Sequence, residues 1–233
     1  MQVIPSGGYL VPEIKVGTGP DAFILCDSEK ILHWFDENYP QAQFYPKELA
    51  SELSVRASDK KLAGFVWYYN WVDAQGFGRS IAEAGRKVSP WYLKPLLSNF
   101  LLGMALGSSK TKFRIQASKA IGVQDDKDLD DEPKMRQMLI DELTVFQSHL
   151  QTTPDQPYLV PGTTQPTAAD FSVYAQLERL VGGNGAYDVD LPPALPQLKE
   201  VASLQPLWAW HERMRQECPV QFKGKSPPKE LLA

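Results

Sequence analysis

Cysteine and histidine are scarce in this sequence, with 2 and 3 residues among 233. Two cysteines cannot form the disulfide framework on which many secreted proteins depend, so nothing indicates an oxidising compartment. The histidines, His33, His149 and His211, are far apart in sequence and have no spacing typical of metal ligands. We therefore expect a cytoplasmic protein and assign no metal.

The sequence also lacks an excess of one charge and a long apolar run. Its formal net charge is −4, with both signs mixed along the chain, which predicts no basic surface for nucleic acid or anionic lipid. The most apolar stretch, residues 90–106, is interrupted by Lys94, Pro95 and Asn99. It is too short and too polar to span a bilayer. We expect neither a nucleic-acid nor a membrane partner.

Apolar residues are plentiful, and beyond residue 48 they recur at helical spacing. They make up 43% of the chain, which is enough for a sizeable core. The clearest stripe follows Pro133 and consists of Met135, Met138, Leu139, Leu143, Phe146 and Leu150. Another helix should begin at Thr167, because Thr167 and Asp170 have the spacing of a capping box. Two shorter helices are expected at 195–204 and 207–215.

The first forty residues have a different pattern. Two short apolar runs flank the glycine-rich residues 17–21, which predicts a β-hairpin. Asp27 and Ser28 then stand where a helix should begin, because their side-chain oxygens can accept the free N–H groups of a first turn. That helix should end near Asn38.

These patterns predict a mostly helical protein with a small α/β part. We expect residues 1–40 to form the small part and residues 41–48 to be a linker. Residues 49–223 would form the helical domain, and residues 224–233 a loose tail.

The order of these motifs resembles the glutathione transferase superfamily. The resemblance rests on residues 10–12, 26–32, 158–162 and 166–171, and residues 87–129 contribute nothing to it. It implies a glutathione transferase-like all-helical C-terminal domain preceded by a partial thioredoxin-like β-hairpin plus helix.

The resemblance also implies a glutathione site. In the superfamily a Val-Pro pair with a cis peptide bond binds the cysteinyl part of glutathione, and Val11 and Pro12 match this pair. An acidic residue followed by Ser binds the γ-glutamyl end, and Asp27 and Ser28 match. The N–H groups at a helix start attract a carboxylate, and the Asp27 carboxylate can pair with an ammonium group. The alternative is that Asp27 and Ser28 only cap their helix.

The sequence departs from the superfamily at its start. Complete members carry a longer thioredoxin-like segment before the Val-Pro pair, and that segment holds the Tyr, Ser or Cys that activates the glutathione thiol. Only ten residues precede Val11, so we expect an N-terminally truncated thioredoxin-like domain whose catalytic residue is unknown. A naturally short start and a lost beginning both stay open.

This departure favours a reaction that needs little activation of the thiol. A thiol with an ordinary pKa is about 3% thiolate at pH 7, and a conjugated electrophile needs less help than an aryl halide. We expect the glutathione thiol to add to a conjugated apolar small molecule. The reaction either stops at the conjugate or eliminates the thiol again, which would isomerise a double bond from cis to trans. The alternative is a non-enzymatic scaffold or binding module of the same fold.

Trp67, Asn70 and Trp71 are the candidate pocket for this second substrate. They share one face of a predicted helix, and the superfamily places the second substrate against the first long helices of its helical domain. Such a face would suit a flat apolar molecule, and ordinary helix packing is the alternative. Because superfamily members usually dimerise, we also expect a homodimer.

Overall fold

The computed structural model describes residues 13–73, 75–76, 102–150, 156–182 and 194–218. The chain begins there with two antiparallel strands, β1 (Glu13–Val16) and β2 (Phe23–Cys26). The helices are α1 (Ser28–Asn38), α2 (Glu48–Ser58), α3 (Lys61–Trp67), α4 (Leu102–Ile121), α5 (Glu132–Leu150), α6 (Ala168–Leu177) and α7 (Gln205–Glu217). The described chain is therefore mostly helical with a small N-terminal hairpin. None of its helices combines the length and the apolar character that a membrane crossing requires.

The hairpin confirms the predicted pair of strands around a glycine-rich turn. Gly17 and Gly19 both have a φ of +79°, a left-handed conformation that glycine adopts without steric cost. The register pairs Glu13 with Cys26. The first residue of β1 therefore lies opposite the last residue of β2, two positions before the start of α1.

The core is helical and is formed mainly by α2, α3, α5, α6 and α7. The predicted stripe on α5 is confirmed, since Met135, Leu139, Leu143 and Phe146 are fully buried. Helix α4 packs closely against α3 at Gly64, where an added Cβ would lie 2.9 Å from Ala120 Cβ. A larger residue at this position would force the two helices apart.

Two helices continue as π-helical turns that the sequence did not predict. The turn after α3 is Tyr68–Val72, and the turn after α6 is Glu178–Gly182. Such wide turns are rare and often occur at functional sites. The prediction missed them because it relies on a period of 3.6 residues, which a local widening alters only slightly.

The two short helices predicted near residue 200 are arranged differently in the structure. The first is replaced by two 3-10 turns, Pro196–Glu200 and Ala202–Leu204. Helix α7 begins earlier than predicted, at Gln205, with Pro206 in its first turn. A proline is tolerated there because its missing N–H would have no partner within the helix.

Candidate functional site

The start of α1 is built around the Asp27 side chain. Asp27 Oδ1 accepts hydrogen bonds from the N–H groups of Glu29 at 2.9 Å and Lys30 at 3.4 Å. This arrangement confirms the predicted start of the helix, and the last residue of α1, Asn38, matches the predicted end. Asp27 satisfies two N–H groups that would otherwise lack a partner in the first turn.

The backbone of Asp27 has an unusual conformation for this role. Its φ is 85° and its ψ is 127°, whereas an N-cap residue normally has a negative φ. A residue with a side chain in this region costs on the order of 1–3 kcal/mol, and such residues cluster at functional sites. The strain is therefore a feature that capping alone does not explain.

Ser28 is exposed at the first position of α1, beside Asp27. Its hydroxyl makes no hydrogen bond to any residue that the structure describes. Two of the four predicted glutathione-binding residues, Asp27 and Ser28, are neighbours in sequence and lie at the start of α1. Val11 and Pro12 lie outside the described residues, but Glu13, the first residue of β1, is paired with Cys26, one position before Asp27.

Further negative charge lies near this helix start. Burial raises the pKa of the Asp59 carboxyl, and the charges of Asp27 and Glu29 raise it further. Lys60 acts in the opposite direction. The surroundings of Asp27 are therefore acidic, which favours a ligand that carries a positive group.

A polar network next to Ser28 was not predicted from the sequence. The Glu29 carboxylate accepts hydrogen bonds from the Tyr45 hydroxyl and the Ser54 hydroxyl, both at 2.9 Å. The Ser54 and Ser172 hydroxyls are 2.7 Å apart, and the His33 ring stacks on Tyr45 with centroids 4.1 Å apart. Burial and the bond to Glu29 raise the pKa of Tyr45. The network joins α1 to α2 and α6.

One signal in the sequence could have revealed part of this network. Ser54 is fully buried between Ala50, Leu53 and Ala57 on the apolar face of α2. A hydroxyl on such a face needs a hydrogen-bond partner. The partner itself, Glu29, could not be found because it is 25 residues away in sequence.

The predicted second-substrate residues lie on α3 and its π-helical turn. Trp67 is half-buried against the core, and Asn70 Nδ2 donates to the Val66 carbonyl at 2.8 Å. Trp71 stacks on Phe113 of α4, with ring centroids 4.8 Å apart. The structure therefore groups the three residues in one segment, where Trp71 has an aromatic partner from the protein itself.

Two cavities border α2 and α5, and the smaller one also borders α3 and α4. The larger, of about 550 Å³, is lined by residues that include Glu52, Arg56 and His149. The smaller, of about 230 Å³, is lined by residues that include Arg56, Lys61 and Glu142. Neither cavity is lined by the predicted site residues. At their shared edge Arg56 forms a bidentate pair with the buried Glu142, with nitrogen–oxygen distances of 2.5 and 2.6 Å.

The capping box at the start of α6 is confirmed as a structural feature. Asp170 accepts hydrogen bonds from Thr167 N–H at 2.9 Å, the Thr167 hydroxyl at 2.8 Å, Leu159 N–H at 2.9 Å and Trp210 Nε1 at 3.2 Å. Burial raises the pKa of Asp170 and outweighs these hydrogen bonds, which act in the opposite direction. The residue ties α6 to α7 and to the preceding loop.

Within the described ranges, no cluster of three or more His, Cys, Asp and Glu residues is arranged to hold a metal ion. Comparisons with protein-family models, with curated proteins and with solved structures found no match to this chain.

Proposed function

We propose that the protein binds glutathione at the start of α1 and adds its thiol to a conjugated apolar electrophile. The observation that carries the proposal is the junction between β2 and α1. There a strained Asp27 precedes an exposed Ser28 whose hydroxyl has no partner in the described chain. Residues with a strained backbone cluster at ligand sites, and the exposed Ser28 hydroxyl is accessible to a ligand.

The γ-glutamyl end of glutathione carries a carboxylate and an ammonium group, and the junction offers a partner for each. The ligand carboxylate would accept from the hydroxyl and the N–H group of Ser28 at the positive end of the helix dipole, since Asp27 already accepts from the next two N–H groups. The ligand ammonium would pair with Asp27 in its acidic surroundings. The hairpin register supports the cysteinyl part of the site, because Glu13, which directly follows the Val-Pro motif in sequence, lies opposite Cys26.

The proposed reaction is an addition. The thiolate sulfur forms a bond to one carbon of the conjugated double bond, and the displaced electron pair moves into the conjugated system. If water protonates the resulting anion, the product is a glutathione conjugate. If the former double bond rotates first and the carbon–sulfur bond then breaks, the electron pair returns and the product is an isomer with free glutathione. The π-helical turn that carries Asn70 and Trp71 is the proposed second-substrate site.

A binding module without enzymatic activity is the second candidate. It is favoured by the stacking of Trp71 on Phe113, since this ring contact already uses one face of the indole. A module of this kind would bind glutathione without turnover.

Calorimetric titration with glutathione tests the binding step. We expect a measurable heat for the wild type and about a tenfold weaker affinity for Ser28→Ala, because a hydrogen bond to a charged group is lost. Ser148→Ala is the matched control, since Ser148 is an exposed serine on α5. No heat from the wild type would contradict the proposal.

A panel of electrophiles and conjugated polyenes then separates the two candidates. Incubation of each compound with protein and glutathione should give adducts or isomers faster than glutathione alone. Binding of glutathione without any acceleration across the panel would favour the binding module.

A further inference from the structure

Glu29 takes part in two arrangements that meet at the candidate site. Its backbone N–H donates to Asp27 Oδ1, and its carboxylate accepts from Tyr45 and Ser54. One residue therefore connects the cap of α1 with the helical region. We infer that Glu29 is a positioning residue, which holds the start of α1 in the orientation that binds the γ-glutamyl end of glutathione. This inference rests on the proposed function.

The direction of the hydrogen bonds follows from the number of protons available. A serine hydroxyl has one proton to donate, and Ser54 donates it to Glu29 Oε2. The Ser172 hydroxyl must then be the donor in its contact with Ser54. The hydroxyls of Ser172 and Ser54 thus form a chain that ends on Glu29 Oε2, and such chains strengthen each member. The Tyr45 hydroxyl donates separately to Oε1.

The location of the carboxylate explains why it acts on orientation. The Glu29 side chain is only 15% exposed, and its oxygens are bound to α2 and to the segment before it. Because successive helical residues are separated by about 100° around the axis, fixing Glu29 also fixes the direction in which Ser28 points. The strained φ of Asp27 needs such external support, since a free chain would relax.

A direct contact between Glu29 and the ligand ammonium is disfavoured by the same geometry. Each carboxylate oxygen already accepts a hydroxyl proton at 2.9 Å. The third neighbour, His33 Nε2, lies 3.9 Å from Oε1 on the exposed side. Glu29 therefore supports the residues that bind and leaves the binding itself to Asp27 and Ser28.

The test measures glutathione affinity in Glu29→Gln, Tyr45→Phe and the control Glu37→Gln. Glu37 is exposed on the same helix and undergoes the same change. A glutamine has one acceptor oxygen, so it cannot accept from Tyr45 and Ser54 on separate oxygens. We expect the Kd to rise about tenfold in Glu29→Gln and about threefold in Tyr45→Phe, and to stay unchanged in Glu37→Gln.

Two further readouts separate positioning from a merely structural role. All titrations are done at 10 °C, after thermal unfolding has shown that each variant is folded at that temperature. The truncated ligand γ-glutamylcysteine should show the same fold-change as glutathione, because it retains the γ-glutamyl end. If Glu29→Gln does not fold, Tyr45→Phe carries the test, since its ring can still stack on His33.

The outcomes distinguish the two proposals. If the wild type binds glutathione and the variants only lower the Tm without changing the Kd, Glu29 is structural and the inference is overturned. If the wild type does not bind glutathione at all, the proposed function fails, and the inference fails with it.

Discussion

The hairpin and the helical region differ in how much of their apolar surface they bury. On β2, Phe23 and Ile24 are 45% and 48% exposed. On α5, by contrast, Leu139 and Phe146 are 0% exposed. The described hairpin and α1 have no comparable core, so their conformation depends on contacts with the helical region. The candidate site lies on this dependent part, which makes its geometry sensitive to those contacts.

The largest effect expected from this difference is on stability. Phe146→Ala should lower the free energy of unfolding by about 3–5 kcal/mol, because it leaves a cavity in a packed core. Phe23→Ala, the same substitution in the hairpin, should cost less than about 1 kcal/mol because the ring is already half in water. Urea unfolding of both variants measures the comparison. Equal losses would mean that the hairpin has a core of its own, contrary to the exposure of Phe23.

The parts of the fold that were predicted correctly are those with local signals. Thr167 and Asp170 are three residues apart, and Asp27 directly precedes the helix that it caps. The hairpin turn was predicted from its glycines. In each case the residues that interact are also neighbours in sequence, so a pattern of a few residues contains the physical cause.

The contacts that support the candidate site are not local, so the sequence did not predict them. Asp27 and Ser28 were predicted from a motif, and the structure places them at the start of α1. The contact between Ser54 and Ser172 spans 118 positions, and no local pattern contains it. The positive φ of Asp27 was also missed, since aspartate at a helix start predicts an ordinary cap.

Two carboxylates with similar exposure, one in each region, have different hydrogen-bond partners. Glu29 is 15% exposed and bound by hydroxyls, whereas Glu178 is 14% exposed and is bound by the Arg215 cation, with His211 beside it. Arg215 donates to Glu178 at 2.8 Å, and His211 Nε2 lies 3.0 Å away. Burial raises the pKa of Glu178, but the contacts with His211 and Arg215 outweigh it and lower the pKa to about 2.

This lowered pKa predicts a loss of stability in acid. The Glu178 contribution is fully present above pH 4.5, the ordinary value, and is lost as the pH falls toward 2. After allowance for screening by solvent, we expect about 2 kcal/mol. The free energy of unfolding, measured with urea between pH 6 and 2, should therefore depend less steeply on pH in Glu178→Gln than in the wild type. Glu212→Gln is the control on the exposed side of the same cluster, and an unchanged profile for both variants would contradict the prediction.

Backbone strain should have smaller effects on stability, and they can be compared at two positions. In the described chain, Asp27 and Gln43 are the two residues other than glycine with a positive φ. Gln43 has a φ of 49° and a ψ of 47° in the connection to α2. Gln43→Gly should raise the free energy of unfolding by about 0.5 kcal/mol, because relief of the left-handed strain exceeds the entropy cost of glycine. It should leave glutathione affinity unchanged.

Asp27→Gly should separate stability from binding. Glycine removes the strain, and replacing the aspartate cap by glycine costs only a few tenths of a kcal/mol. The free energy of unfolding should therefore rise by as much as about 1 kcal/mol. Glutathione affinity should fall at least about tenfold, because the carboxylate that pairs with the ligand ammonium is gone. Urea unfolding and calorimetry on the same preparations measure both quantities. If Asp27→Gly is more stable and binds glutathione as tightly as the wild type, the strain belongs to the fold alone. If Asp27→Gly is more stable but binds glutathione more weakly, the strain is retained for the ligand.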